Sequence, residues 1–132
     1  MRAHKKTRSS NVNLVIICVN SLEDPEICTE IARRGIGLTV CPVSNRFVVQ
    51  NLTGDEIRRM LALGMKATIN SDDPAYFRGY MNENLIALHE DAGFEAAEIT
   101  QLVRNSFEVA WLSDARRSHY LGLLDQSLAA NA

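Results

Sequence analysis

With 132 residues, 46% of them apolar and 23% charged, the chain has room for one domain and the make-up of a globular protein. A formal charge of −2 gives no electrostatic basis for binding nucleic acid or a membrane surface, and no apolar run approaches the length that spans a bilayer. The longest such run, residues 14–19, follows polar residues and lacks a small-residue cleavage site, so a secretory leader is not expected. Cys18, Cys28 and Cys41 are odd in number and lack metal-ligand spacing; they read as reduced core residues of a cytoplasmic protein.

Residues 1–13 carry Arg2, His4, Lys5, Lys6 and Arg8 in a polar stretch with no apolar period, which reads as a disordered basic arm without a function of its own. Leu14 to Val19 is a continuous apolar run of strand length. Asp24 as N-cap and Pro25 at the first helical position then start a helix with Ile27, Ile31 and Ala32 on its apolar side, and Gly35 ends it. A second strand, Ile36 to Cys41, stops at Pro42. Thr53 and Glu56 have capping-box spacing before a helix whose inward stripe is Ile57, Met60 and Leu61, and Gly64 closes it. The strand carrying Ala67 and Ile69 follows. Beyond it only helices are expected, at about 82–92, about 96–106 and after Asp114.

Strand-helix alternation implies parallel strands joined by right-handed crossovers. Three strands of buried type need cover at both edges, which this sequence does not supply. Either the sheet is very small or the chain is the tail of a larger α/β barrel.

The third strand ends in Asn70-Ser71-Asp72-Asp73-Pro74. Its carboxylates project from the C-terminal end of a buried strand, where α/β folds keep their chemistry. Adjacent like charges repel, so a site holding both usually offers a metal or a proton-bearing ligand. An Asx-turn opening a helix explains the same residues without a site.

Four segments resemble the adenosine/adenine deaminase family in order and spacing. They are Val19-Asn20-Ser21-Leu22-Glu23-Asp24-Pro25, Thr39-Val40-Cys41-Pro42-Val43-Ser44-Asn45, Ile69-Asn70-Ser71-Asp72-Asp73-Pro74 and Arg104-Asn105-Ser106-Phe107-Glu108. Pro74-Ala75-Tyr76-Phe77 and Gly79-Tyr80-Met81-Asn82-Glu83-Asn84 are more similar to the adenine branch, although Arg78 stands where a second glycine is expected. The resemblance runs from about Val19 to the last helix.

It implies the C-terminal sector of a (β/α)8 barrel of TIM type, about three parallel strands followed by helices, with residues 1–18 unlike the family and 19–132 belonging to the barrel. It also implies zinc as cofactor, a purine base or nucleoside as ligand, and hydrolytic replacement of the purine C6 amine. By position, Asp72 resembles the zinc-ligating aspartate and Asp73 the carboxylate that hydrogen-bonds the purine ring. The family's sixth-strand catalytic histidine and the glycine after it are replaced by Ile17 and Cys18. Its His-x-His pair, third histidine ligand and general-acid glutamate have no counterpart.

The resemblance thus describes a truncated or frame-shifted deaminase, adenine to hypoxanthine, inactive alone. His89 and His119 lie in helices and do not repair the site. Asn105 and Glu108 read as helix braces near the barrel floor, and Phe107, Trp111 and Leu112 as packing residues. An adenosine-specific branch, a non-catalytic assembly module and a compact α/β module with another small-molecule site are the alternatives. Open edges predict self-association or pairing with a complementing chain.

Overall fold

The computed structural model describes residues 14–16 and 22–131. Ile17, Cys18 and the basic arm with His4 lie outside the described residues, as does the continuation of the first strand to Val19. Three strands, β1 (Leu14–Ile16), β2 (Gly37–Val40) and β3 (Lys66–Ile69), form one parallel sheet in the order β1-β2-β3. Leu14 stands opposite Gly37, and Gly37 opposite Lys66, so the strands run in step and their C-terminal ends share one edge.

The first crossover, α1 (Pro25–Arg34), forms as its punctuation dictates. Asp24 Oδ1 accepts from the backbone N–H groups of Glu26 and Ile27, at 2.9 and 3.3 Å. Gly35 takes φ +63° and closes the C-terminus. The apolar face is offset from the expected one: Cys28 is buried with Ile31 and Ala32 beside it, whereas Ile27 is exposed. The spacing 28, 31, 32 keeps one helical face where 27 falls off it.

Pro42 ends β2 and, beyond the stop expected there, also opens a helix, α2 (Pro42–Val49). Its missing N–H costs nothing in the first helical turn. The helix α3 (Gly54–Ala62) follows, but Thr53 does not form the expected capping box with Glu56. Thr53 has φ +58°, and a capping side chain reaches the first turn from an extended backbone. Its hydroxyl instead donates to the Leu52 carbonyl and accepts from Asn45 Nδ2. Ile57 and Met60 are wholly buried as the stripe predicts, with Leu61 partly so.

After β3 come α4 (Pro74–Phe77), α5 (Met81–Ala92), α6 (Ala96–Val109) and α7 (Asp114–Ala130). A capping box does form in this chain, at Glu95 and Glu98 ahead of α6. The core joins Leu38 and Val40 of β2, Ala67 and Ile69 of β3, Ile57 and Met60 of α3, and Leu88, Phe94 and Leu102 of the helices beyond. Each large apolar side chain fully withdrawn from water contributes about 2 kcal/mol. Asn105 and Glu108 brace β3 from α6: Asn105 Nδ2 donates to the Ala67 carbonyl at 2.8 Å, and Glu108 pairs with Lys66. Phe107 stacks on Tyr120. Trp111 does not pack, being 82% exposed where the chain turns from α6 to α7.

Candidate functional site

The site is built where β2 and β3 end together. Val40 stands opposite Ile69, and the Asn70 N–H extends the pairing by donating to the Val40 carbonyl at 2.9 Å. The next residues of each strand therefore emerge side by side: Cys41 to Ser44 from β2, and Ser71 to Asp73 from β3. Asn70 turns back, its Nδ2 donating to Thr68 Oγ1 at 3.0 Å.

Asp72 and Asp73 are both exposed but held differently. Asp72 has φ +60°, the left-handed region that Asp tolerates better than most side chains. Its Oδ2 accepts from the buried Ser44 hydroxyl at 2.9 Å, a tie across the two strand ends. Asp73 caps α4, with Oδ1 accepting from the Tyr76 N–H at 3.1 Å. The Asx-turn reading is therefore realised in Asp73, while Asp72 is turned to the neighbouring strand. The repelling pair is separated by giving each carboxylate its own donor.

Cys41 is half-buried beside Asp72. Burial first, and the Asp72 charge second, push its thiol up to about 11, while a bond from the Asp72 backbone N–H works the other way. At neutral pH it is a neutral thiol, unsuited to act as nucleophile or thiolate ligand.

Asn84, the last residue of the adenine-branch segment, has no role assigned by the sequence, and it is the polar hub behind the site. Wholly buried, its Oδ1 accepts from the Val43 N–H at 3.0 Å, and its Nδ2 donates to the Gly79 and Tyr80 carbonyls. It ties the start of α2 to the connection between α4 and α5. A Cβ at Gly79 would come within 2.8 Å of Val43, so glycine is required for this approach. Arg78, which replaces an expected glycine, takes φ +54°. The sequence signal for Asn84 is its place at the end of the segment 79–84; its burial belongs to the tertiary structure.

Zinc can be tested against these residues. Asp72 fits it as one carboxylate ligand, because Oδ1 accepts no hydrogen bond among the described residues. No group of three His, Cys, Asp or Glu converges among the described residues, so they do not form a zinc site by themselves. His89 lies exposed with Nδ1 2.7 Å from the Phe94 carbonyl, and exposed His119 sets its ring edge against Tyr120. No helix among the described residues is long and apolar enough to cross a membrane.

Residues 17–127 match the family model described as adenosine deaminase. The chain is 44% identical over 113 residues to an uncharacterized deaminase of Schizosaccharomyces pombe, covering 85% of this chain and 33% of that one. It is 43% identical over 112 residues to an adenine deaminase of Hahella chejuensis, covering 83% and 34%. Among solved structures, an adenine deaminase from Arthrobacter aurescens superposes with a TM-score of 0.82 at 32% identity, over 89% of this chain and 36% of that one. An amidohydrolase from Burkhoderia ambifaria with bound Zn superposes with a TM-score of 0.70 at 25% identity, over the same shares. The chain spans about a third of the length of the curated relatives it matches. The parallel strands and the helices after them are a sector of an α/β barrel. On the family match and these relatives, the chain belongs to the adenosine deaminase family, with adenine deaminases among the proteins it most resembles.

Proposed function

We propose that this chain is the C-terminal sector of a zinc-dependent purine deaminase that converts adenine to hypoxanthine in cytoplasmic purine salvage, and that its 132 residues do not catalyse the reaction by themselves. The observation that carries the reading is the pair of exposed carboxylates where β2 and β3 end together, with Asp72 drawn to Ser44 and Asp73 turned to its own helix. Zinc, when bound in such a site, lowers the pKa of a coordinated water so that a nucleophile is available at neutral pH. Asp72 serves as one ligand. Asp73 keeps one oxygen on the Tyr76 N–H and offers the other to a purine ring nitrogen or amine. Inactivity alone is the reading the donor count supports: among the described residues one carboxylate at the site is offered to the metal, and one carboxylate does not hold a zinc ion firmly.

A chimera tests this reading. Residues 19–127 would replace the matching segment of the Hahella chejuensis adenine deaminase, whose remaining sequence supplies the rest of that barrel. The expected outcome is adenine deamination that is lost on Asp72→Ala and weakened on Asp73→Ala. A folded, zinc-loaded chimera without activity would contradict it.

A second reading has its own observation. Phe47, Val48 and Val49 form an exposed apolar run on α2, which suits an assembly module better than a lone enzyme sector. A monodisperse oligomer formed without zinc would favour that module.

A further inference from the structure

We infer that the basic arm, residues 1–13, docks on Trp111 at the N-terminal end of the sheet, with the Arg8 guanidinium over the indole face. Trp111 is the most exposed large apolar side chain among the described residues, and the turn that carries it is braced. Arg117 donates from Nη2 to the Ala110 and Leu112 carbonyls, at 3.3 and 3.1 Å, and from Nη1 to Asp114 Oδ1 at 2.7 Å. The Leu112 N–H donates to the Ala110 carbonyl, and Ser113 caps α7. A turn held at this many points presents the indole in one place. A fixed, exposed tryptophan is the residue type that anchors contacts.

The course of the chain selects the occupant. Leu14 stands opposite Gly37, one strand spacing of about 4.8 Å away. Gly37 in turn meets Val109, where a Cβ on the glycine would lie 2.7 Å from Val109 Cβ, and Trp111 follows two residues later. The arm therefore enters β1 on the order of 15 Å from the indole. Arg8, six residues before Leu14, is the first cation back from the strand. Six extended residues span about 20 Å, so reach and distance agree. Charge favours the same pairing. The arm holds four of the 14 Lys and Arg residues and none of the 16 Asp and Glu. It carries +4, while the remaining ten bases against sixteen acids carry −6. Asp114, with a fully exposed side chain, stands three residues beyond Trp111 to take a second arm cation. Arginine suits the ring because its planar guanidinium stacks, and this chain already sets Arg58 4.2 Å over Phe94.

Trp111 is the sole tryptophan, so its emission reads the contact directly. The test is acrylamide quenching of the full 132-residue chain against Arg8→Ala, and against a variant carrying Arg2→Ala, Lys5→Ala, Lys6→Ala and Arg8→Ala. In the wild type the indole is partly shielded. Arg8→Ala lowers the docked-to-free ratio drawn from quenching by about 2–5-fold, the worth of one exposed cation–π contact. The fourfold variant is quenched like a free, exposed indole. Equal quenching in the wild type and the fourfold variant overturns the inference. Shielding that grows with protein concentration assigns the indole to a second copy and overturns it too. Should the fourfold variant fail to fold, nuclear Overhauser contacts in the wild type decide. Contacts between the Trp111 ring and the Arg8 side chain support the inference, and a ring with none to residues 1–13 overturns it.

Discussion

Asn105 of α6 replaces a strand as the partner of Ala67, its buried Nδ2 donating to the β3 carbonyl at 2.8 Å while its Oδ1 accepts from Gln101. This pins α6 to the strand that carries the two aspartates. Asn105→Ala leaves a buried carbonyl without that donor and lowers stability by about 1–3 kcal/mol. Urea unfolding followed by circular dichroism measures it, and a change within error of zero would show that water replaces the amide.

Gly37 and Val109 meet more closely than any other side chain would allow. A Cβ on Gly37 would lie 2.5 Å from Val109 Cγ2. Gly37→Ala therefore costs about 1–3 kcal/mol by overpacking. In a Val109→Ala background the same change costs less, and a double-mutant cycle by urea unfolding gives the coupling. Equal costs in both backgrounds would place the clash elsewhere.

Arg78 holds φ +54° at the end of α4, a conformation disfavoured for side chains other than glycine. Relief of that strain outweighs the added freedom of the unfolded chain, so Arg78→Gly stabilises by on the order of 0.5 kcal/mol. Thermal unfolding would show a raised midpoint; a lowered one would mean the guanidinium makes a compensating contact.

Glu98 links pH to stability. The Arg58 guanidinium, which also lies 4.2 Å over the Phe94 ring, holds the Glu98 carboxyl below its ordinary value of 4.5, and the Glu95 backbone N–H adds to the effect. The folded value lies below the unfolded one. The contribution is therefore complete above about pH 4.5 and is lost as pH falls through the folded value. Glu30 is drawn down further, to about 2, by hydrogen bonds from Arg33 and Arg34, but that group is partly open to water and screened by solvent. Denaturant titrations between about pH 6 and about pH 3 check the sign: Glu98→Gln is less stable at the upper end and loses less on acidification. An unchanged slope would remove Glu98 from the account.

Local signals carried much of this fold. Asp24, Pro25 and Gly35 each act at a range of one turn, and the structure uses them as the sequence suggests. The strand end at Asp72 was legible because a short apolar run stops there. What failed was whatever depended on the backbone state or on distant partners. Thr53 has the residue type of a cap but sits in the left-handed region, and Pro42 serves as both a stop and a start. Trp111 looks like core by composition and is exposed because of where its turn falls. Within the site, the tie from Ser44 to Asp72 and the Asn84 hub join segments 28 and 41 residues apart, a relationship no local pattern encodes.

The most direct test of the account is adenine deamination by the purified 132-residue chain with added zinc, followed by loss of adenine absorbance, with metal content measured on the same sample. The account predicts no turnover and substoichiometric zinc. Turnover that disappears on Asp72→Ala would contradict it, because ligands beyond the described residues would then have to come from this chain itself.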